Sequence, residues 1–353
     1  MMLATRLAAT AATLTAIAVT ATACGTTKVD EPAAGSSTAP SSQTCADDKT
    51  TTSTGPVSMT DGVGRKVELD KPAQRVAVLE WQQTEDLLTL CLTPVAAADT
   101  KGYGTYVKAE PLPASVVNTG ERGEPDLDAL YATKPDLIIV EAFKADDEQI
   151  TKLEKRGVPV LATVGADASG QIENMKKVFS MIGQATGRTE RADLVLRQFD
   201  EHLAAARKTA EAANIKSKDF LFFDGWIEGG NVVIRPYGKG ALFTELGEQL
   251  GMTTAWTDKI NAAYGSGGVD PSYGLAQTDI EGLTAVGSAS LFYSDDDTPD
   301  SYVKELRKSS IWSALPAVKE DRAYPFPAGV WGAGGPKSNE AAIDAYVKIL
   351  TGK

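Results

Sequence analysis

Residues 168–214 read ASGQIENMKKVFSMIGQATGRTERADLVLRQFDEHLAAARKTAEAAN, and this stretch decides the fold. Ile172, Met175, Phe179 and Ile182 recur at helical spacing, which gives a first helix one apolar face. Gly187 suits a helix end, because glycine takes the left-handed conformation without a Cβ clash. Thr189 can then cap a second helix whose apolar face carries Leu196, Phe199, Leu203 and Ala206. Strand-then-helix signals lie on both sides of this stretch and none lies inside it. Two α/β lobes joined through one helix fit that pattern. A single α/β domain with an ordinary long helix fits it as well.

Working outward, residues 57–69 read as a hairpin turning at Asp61-Gly62. Residues 75–80, 95–98, 134–140 and 159–164 read as strands, with helices over 84–91, from Leu127, and over 150–155. On the other side, residues 220–223, 231–235, 290–293 and 323–326 read as extended, with helices over 242–250, 301–308 and 340–350. Strands alternating with helices imply a parallel sheet in each half.

The 353 residues, 42% hydrophobic, can bury one large core or two moderate ones. The net charge of -12 argues against nucleic acid, whose phosphates call for clustered Lys and Arg. The single histidine, His202, argues against clustered-histidine zinc or haem sites and reads as a surface helix residue. Residues 1–23 read as a secretory signal, with Arg6 ahead of a short apolar run. Small residues before Cys24 resemble a bacterial lipobox, with Ala21 where Leu is commoner, so Cys24 is a candidate lipidation site. The other reading is ordinary cleavage after Ala23. Residues 24–55, rich in Ser, Thr, Ala and Pro, read as a flexible tether. If Cys24 carries lipid, Cys45 and Cys91 form an even pair that a disulfide could join outside the cell; free thiols are the alternative.

No Gly-x-Ser-x-Gly elbow occurs. Gly334-Gly335-Pro336-Lys337-Ser338 only superficially suggests a phosphate loop, because Pro336 breaks the pattern and a last helix, not a first strand, is its neighbour. Asp295-Asp296-Asp297 lacks the glycine and terminal Glu of a calcium loop. The carboxylate pairs Asp126/Asp128 and Glu80/Glu85 carry no mark of acid and base. What remains is aromatic: Trp81, Trp226 and Trp331 follow strand ends or sit in the turn before the last helix, where open α/β sheets bind ligands. Trp256 and Trp312 read as packing residues.

Residues 75–81 (RVAVLEW), 84–88 (TEDLL), Asp99-Thr100, 124–130 (EPDLDAL), 134–138 (KPDLI), 242–246 (LFTEL), 311–316 (IWSALP) and 327–331 (PAGVW) occur in an order that resembles the substrate-binding proteins of iron–siderophore ABC importers. Residues 79–81, 98–100 and 110–113 look closest to the ferric hydroxamate-binding branch. The resemblance implies two Rossmann-like α/β lobes bridged by a single long α-helix, with 56–168 as N-terminal lobe, 169–187 as bridge and 188–353 as C-terminal lobe. It implies an extracytoplasmic lipoprotein, anchored to the cell membrane through Cys24, that is a monomer and not an enzyme. It would capture a ferric siderophore between the lobes and deliver it to permease subunits. The iron would arrive fully chelated, so neither a cofactor nor a protein metal ligand is expected. Carried over, Arg122 would approach the iron-bound oxygens, and Trp81, Tyr106, Phe143, Tyr264 and Trp331 would line the pocket. Trp226, Arg235 and Tyr237 join them by their places at strand ends. Glu85 and Glu245 match the lobe-surface carboxylates that dock on permease arginines. A catecholate siderophore, cobalamin or haem is the alternative cargo, and a cell-surface enzyme on this scaffold is the alternative of another class.

Overall fold

The apolar spacing at 172–182 folds as the helix Gln171–Ala185, and its buried face is shared between two cores. Ile172 and Met175 belong to the apolar cluster of the C-terminal lobe, while Val178, Phe179, Ile182 and Ala185 belong to that of the N-terminal lobe. One rigid rod is thereby fastened at its two ends in different lobes. Full burial of Phe179 and Ile182 contributes roughly 2–3 kcal/mol each to holding it there. The structure, a computed structural model, describes residues 43–213, 215 and 217–352.

Gly187 ends this helix with φ +72°, and a Cβ at this position would stand 2.6 Å from the Ser53 carbonyl oxygen. The chain then reverses into the helix Thr189–Glu211. Sequence assigns this helix to the C-terminal lobe alone, and the structure corrects that. Ala192, Val195 and Leu196 pack against the N-terminal core, and Phe199, Leu203, Ala206 and Ala210 against the C-terminal one. The cause is a pair of buried arginines. Arg188 Nε donates to the Leu90 carbonyl at 2.9 Å and Arg191 Nε to the Thr89 carbonyl at 3.2 Å. These carbonyls end the helix Trp81–Thr89 and would otherwise lack partners.

The N-terminal sheet has five parallel strands in the order Val117–Asn118, Ala96–Ala97, Val76–Val78, Leu137–Glu141, Val160–Thr163. Its central strands are unbroken apolar runs because helices cover both faces. The C-terminal sheet is mixed, not wholly parallel as the alternation suggests. Asp219–Glu228 turns at Gly229-Gly230 and pairs antiparallel with Asn231–Pro236, which pairs antiparallel with Thr278–Asp279. Ser290–Ser294 and Ala323–Phe326 continue the sheet in parallel. A two-residue turn permits only an antiparallel return. Trp256 and Trp312 lie in this lobe's core. The expected hairpin forms from Val57–Thr60 and Lys66–Leu69.

The tether also ends earlier than expected. Cys45 is disulfide-bonded to Cys91. Asp48 is ion-paired with Arg188, and Thr51 N donates to Glu190 at 2.9 Å. Residues 45–53 are therefore tied to the folded body and are not free linker. The expected signal peptide and Cys24 lie outside the described residues.

Candidate ligand-binding cleft

Between the lobes lies a cavity of about 250 Å³. On the N-terminal side its walls follow strand ends: Glu80 comes after Val76–Val78, Glu141 ends Leu137–Glu141, and Gly165 and Ala166 follow Val160–Thr163. Where neighbouring strands send their connections to opposite faces of a parallel sheet, a crevice opens outside their carboxyl ends, and ligands bind there. Gln171 and Met175 of the bridge form the floor, and Arg235, Tyr237, Tyr273 and Trp331 close the C-terminal side.

Arg122 stands on an aromatic shelf. Its guanidinium lies 3.9 Å from the centre of the Trp81 ring and 5.8 Å from that of Trp331, and it is ion-paired with Glu80 at 3.0 Å. Trp81 meets Trp331 edge-on at 4.9 Å and stacks with Tyr106 at 5.6 Å. The arrangement fixes a planar cation above a π surface while leaving outward N–H groups free for acceptors. Trp81 itself is 4% exposed, with Nε1 donating to the Asp99 carbonyl at 3.2 Å. Its expected place on the cleft surface is thus corrected: it is the shelf beneath Arg122.

Across the cleft, Asp224 and Arg235 are cross-strand partners and form a two-pronged ion pair, Nε–Oδ1 2.7 Å and Nη2–Oδ2 2.5 Å. The Tyr237 hydroxyl donates to Asp224 Oδ2 at 3.1 Å. The Glu141 carboxylate takes a hydrogen bond from the Tyr273 hydroxyl at 2.8 Å. Burial, with Glu80 nearby, pushes the Glu141 carboxyl up to about 7.

The other expected residues are spread more widely. Trp226 lines an adjoining recess of about 480 Å³ that shares Arg235 and Tyr273 with the main cavity. Phe143 is exposed and edge-on to Tyr273 at 6.4 Å. Tyr264 lines neither space: it ends the helix Asp258–Tyr264 and is 46% exposed. Sequence reasoning missed Glu141 and Tyr273. Glu141 was legible as the one charge closing an apolar strand, whereas Tyr273 lies in an aperiodic loop with no signal.

The two expected docking carboxylates are corrected as well. Glu85 is fully buried, accepting from the Ser338 backbone N–H at 2.7 Å and the Ser338 hydroxyl at 2.5 Å. It caps the helix Pro336–Thr351 of the opposite lobe, so the glycine-rich turn that resembles a phosphate loop already holds a carboxyl group from its own chain. The approach is close: a Cβ on Gly335 would lie 2.1 Å from Asp86 Oδ1. Burial, only partly offset by Ser338, pushes the Glu85 carboxyl up to about 7, and burial beside Glu85 holds Asp86 well above the usual carboxylate range. Glu245 is half-buried, and its Oε2 accepts from Gln171 N at 2.7 Å and Ile172 N at 3.3 Å. It caps the bridge helix and is not a free surface charge.

Comparisons with known proteins agree with this architecture. The model of the periplasmic binding protein family matches residues 76–328. The iron(3+)-hydroxamate-binding protein of Escherichia coli (strain K12) is 24% identical over 258 residues, 73% of this chain and 80% of that protein. The Fe3+–Desferal-bound siderophore-binding protein from Vibrio cholerae has a TM-score of 0.65 at 22% identity, covering 79% of this chain and 98% of that one. The triscatecholate siderophore-binding protein from Bacillus subtilis, complexed with ferri-bacillibactin, has a TM-score of 0.64 at 22% identity, covering 84% and 98%.

Proposed function

Because this chain belongs to the periplasmic binding protein family, we propose that it captures a ferric siderophore of hydroxamate type between its lobes and hands it to an ABC importer permease. The observation that carries this reading is Arg122, held 3.9 Å above Trp81 beside Trp331 and Tyr106 at the cleft. Such a group offers N–H donors to iron-bound oxygens and apolar rings to the chelator's backbone. The iron arrives already chelated, so the protein contributes recognition and no ligand to the metal. The task is capture, in keeping with relatives that are binding proteins and not enzymes. A lipid on Cys24 would hold the protein on the extracytoplasmic face of the membrane.

Tryptophan fluorescence tests the reading, since Trp81 and Trp331 border the site. Titration with ferric hydroxamates, a ferric catecholate and their iron-free forms should show quenching by a ferric hydroxamate at submicromolar concentration. Arg122→Ala should weaken that binding about ten- to hundredfold, the worth of a charge-assisted hydrogen bond. Quenching by the catecholate alone, or unchanged affinity in Arg122→Ala, would overturn the assignment.

A further inference from the structure

The charges at the cleft do not balance. Arg122 is paired with Glu80 at 3.0 Å, and Arg235 with Asp224 at 2.5 Å. Glu141 remains. It lines the cavity, and its polar contact is the Tyr273 hydroxyl at 2.8 Å. Among the described residues no Lys, Arg or His lies within ion-pair distance of it. A buried acid without a cation either keeps its proton or is matched by a cation that the ligand brings, and a ligand cation at hydrogen-bond distance would favour its charged form.

Ligand chemistry divides along the same line. Iron(III) bound by hydroxamate monoanions in a full octahedral complex is neutral at its centre, so its net charge comes from its substituents. Catecholate dianions around the same ion give a trianion, which would face the unpaired Glu141 in a cleft where the charge of each guanidinium is already compensated by a carboxylate, although Arg122 keeps N–H groups for hydrogen bonding. We propose that Glu141 recognises a protonated amine on the captured complex, so that the cleft selects ferric hydroxamates carrying an ammonium group. This rests on the hydroxamate reading above and sharpens it to one charge class. The surroundings suit an alkylammonium arm: Phe143 and Tyr273 meet edge-on at 6.4 Å beside Glu141, and the Trp226 recess opens from the same Tyr273. The groups facing Glu141 are Glu80, Tyr273 and Arg122, and of these only Arg122 is cationic, its charge compensated by the nearer Glu80.

The test uses the full chain and two probes, the ferric complex of Desferal, whose arm ends in a primary amine, and the same complex with that amine acetylated. Fluorescence titration of the wild type should give about tenfold tighter binding of the free amine, the scale of one charge-assisted contact. Glu141→Gln, which keeps the shape and an oxygen for Tyr273, should bind both probes alike and at the affinity the wild type shows for the acetylated one. Equal binding of the two probes by the wild type would overturn the role of Glu141 while leaving the hydroxamate reading intact. A preference that persists in Glu141→Gln would overturn it in the same way. Failure of both probes to bind would overturn both.

Discussion

Glu85→Gln should flatten the pH dependence of stability. In the folded protein the Glu85 carboxyl is raised from 4.5 to about 7, because burial outweighs the hydrogen bonds from Ser338. The folded state therefore binds this proton more tightly than the unfolded chain does. The stability Glu85 contributes is fully present below pH 4.5 and is lost as pH rises through about 7. A shift of that size is worth about 3 kcal/mol. The amide introduced by Glu85→Gln cannot ionise, yet its oxygen can still accept from the Ser338 N–H. Urea unfolding near pH 5 and near pH 8.5 reads the difference directly. With a slope of about 3 kcal/mol per molar urea for a chain of this size, the wild-type midpoint should fall about 1 M further than that of the variant. Glu141 and Asp86 are raised in both proteins, so the variant still loses some stability at high pH. Identical pH dependence in the two proteins would refute the argument that Glu85 is buried against the opposite lobe.

Gly335→Ala should lower stability by about 2–3 kcal/mol, because the added Cβ would meet Asp86 Oδ1 at 2.1 Å inside the lobe contact; an unchanged melting temperature would show that the contact yields freely. Cys91→Ser opens a link between residues 46 apart in sequence and should cost about 4 kcal/mol by the loop-entropy relation. A reducing agent should weaken the wild type by the same amount and leave the variant unaffected, and a reductant-insensitive wild type would contradict the bond.

Much of the scaffold was legible because it rests on periodicity. Ile172, Met175, Phe179 and Ile182 mark the bridge helix, and the runs at 76–78 and 137–140 mark buried strands. The division of that helix between two cores was not legible, since apolar spacing shows a face and not what covers it. The same limit hid Glu85. A glutamate on a helix between polar neighbours reads as solvated, and its burial depends on Gly334 and Gly335, some 250 residues away, arriving without side chains. Arg122 was found through the resemblance, and its shelf was found through the position of Trp81 after a strand. Tyr264 was misplaced because aromatic identity says nothing about direction from a short helix end. Glu141 was overlooked because a lone acidic residue acquires its meaning only when the nearby cations prove to be paired with other carboxylates.

One loop, residues 327–335, concentrates these relations. Its Gly329 carbonyl accepts from Lys108 N at 3.0 Å, its Trp331 ring packs on Trp81 at 4.9 Å, and Gly335 leads into the helix capped by Glu85. It thus touches the N-terminal lobe at three levels while forming one wall of the cavity. The two helices that cross between the lobes resist bending, because each is anchored at both ends by buried apolar residues. Relative motion is therefore easiest at residues 327–333, which are exposed or half-buried, and at the single Tyr273–Glu141 hydrogen bond, and hardest at the buried Gly334-Gly335 end. Lifting Trp331 from Trp81 uncovers the shelf under Arg122, and parting Tyr273 from Glu141 frees the unmatched carboxylate. If an entering ligand parts these contacts, it does so between residues that would recognise it, so binding can replace what opening breaks, and the lobes need move little.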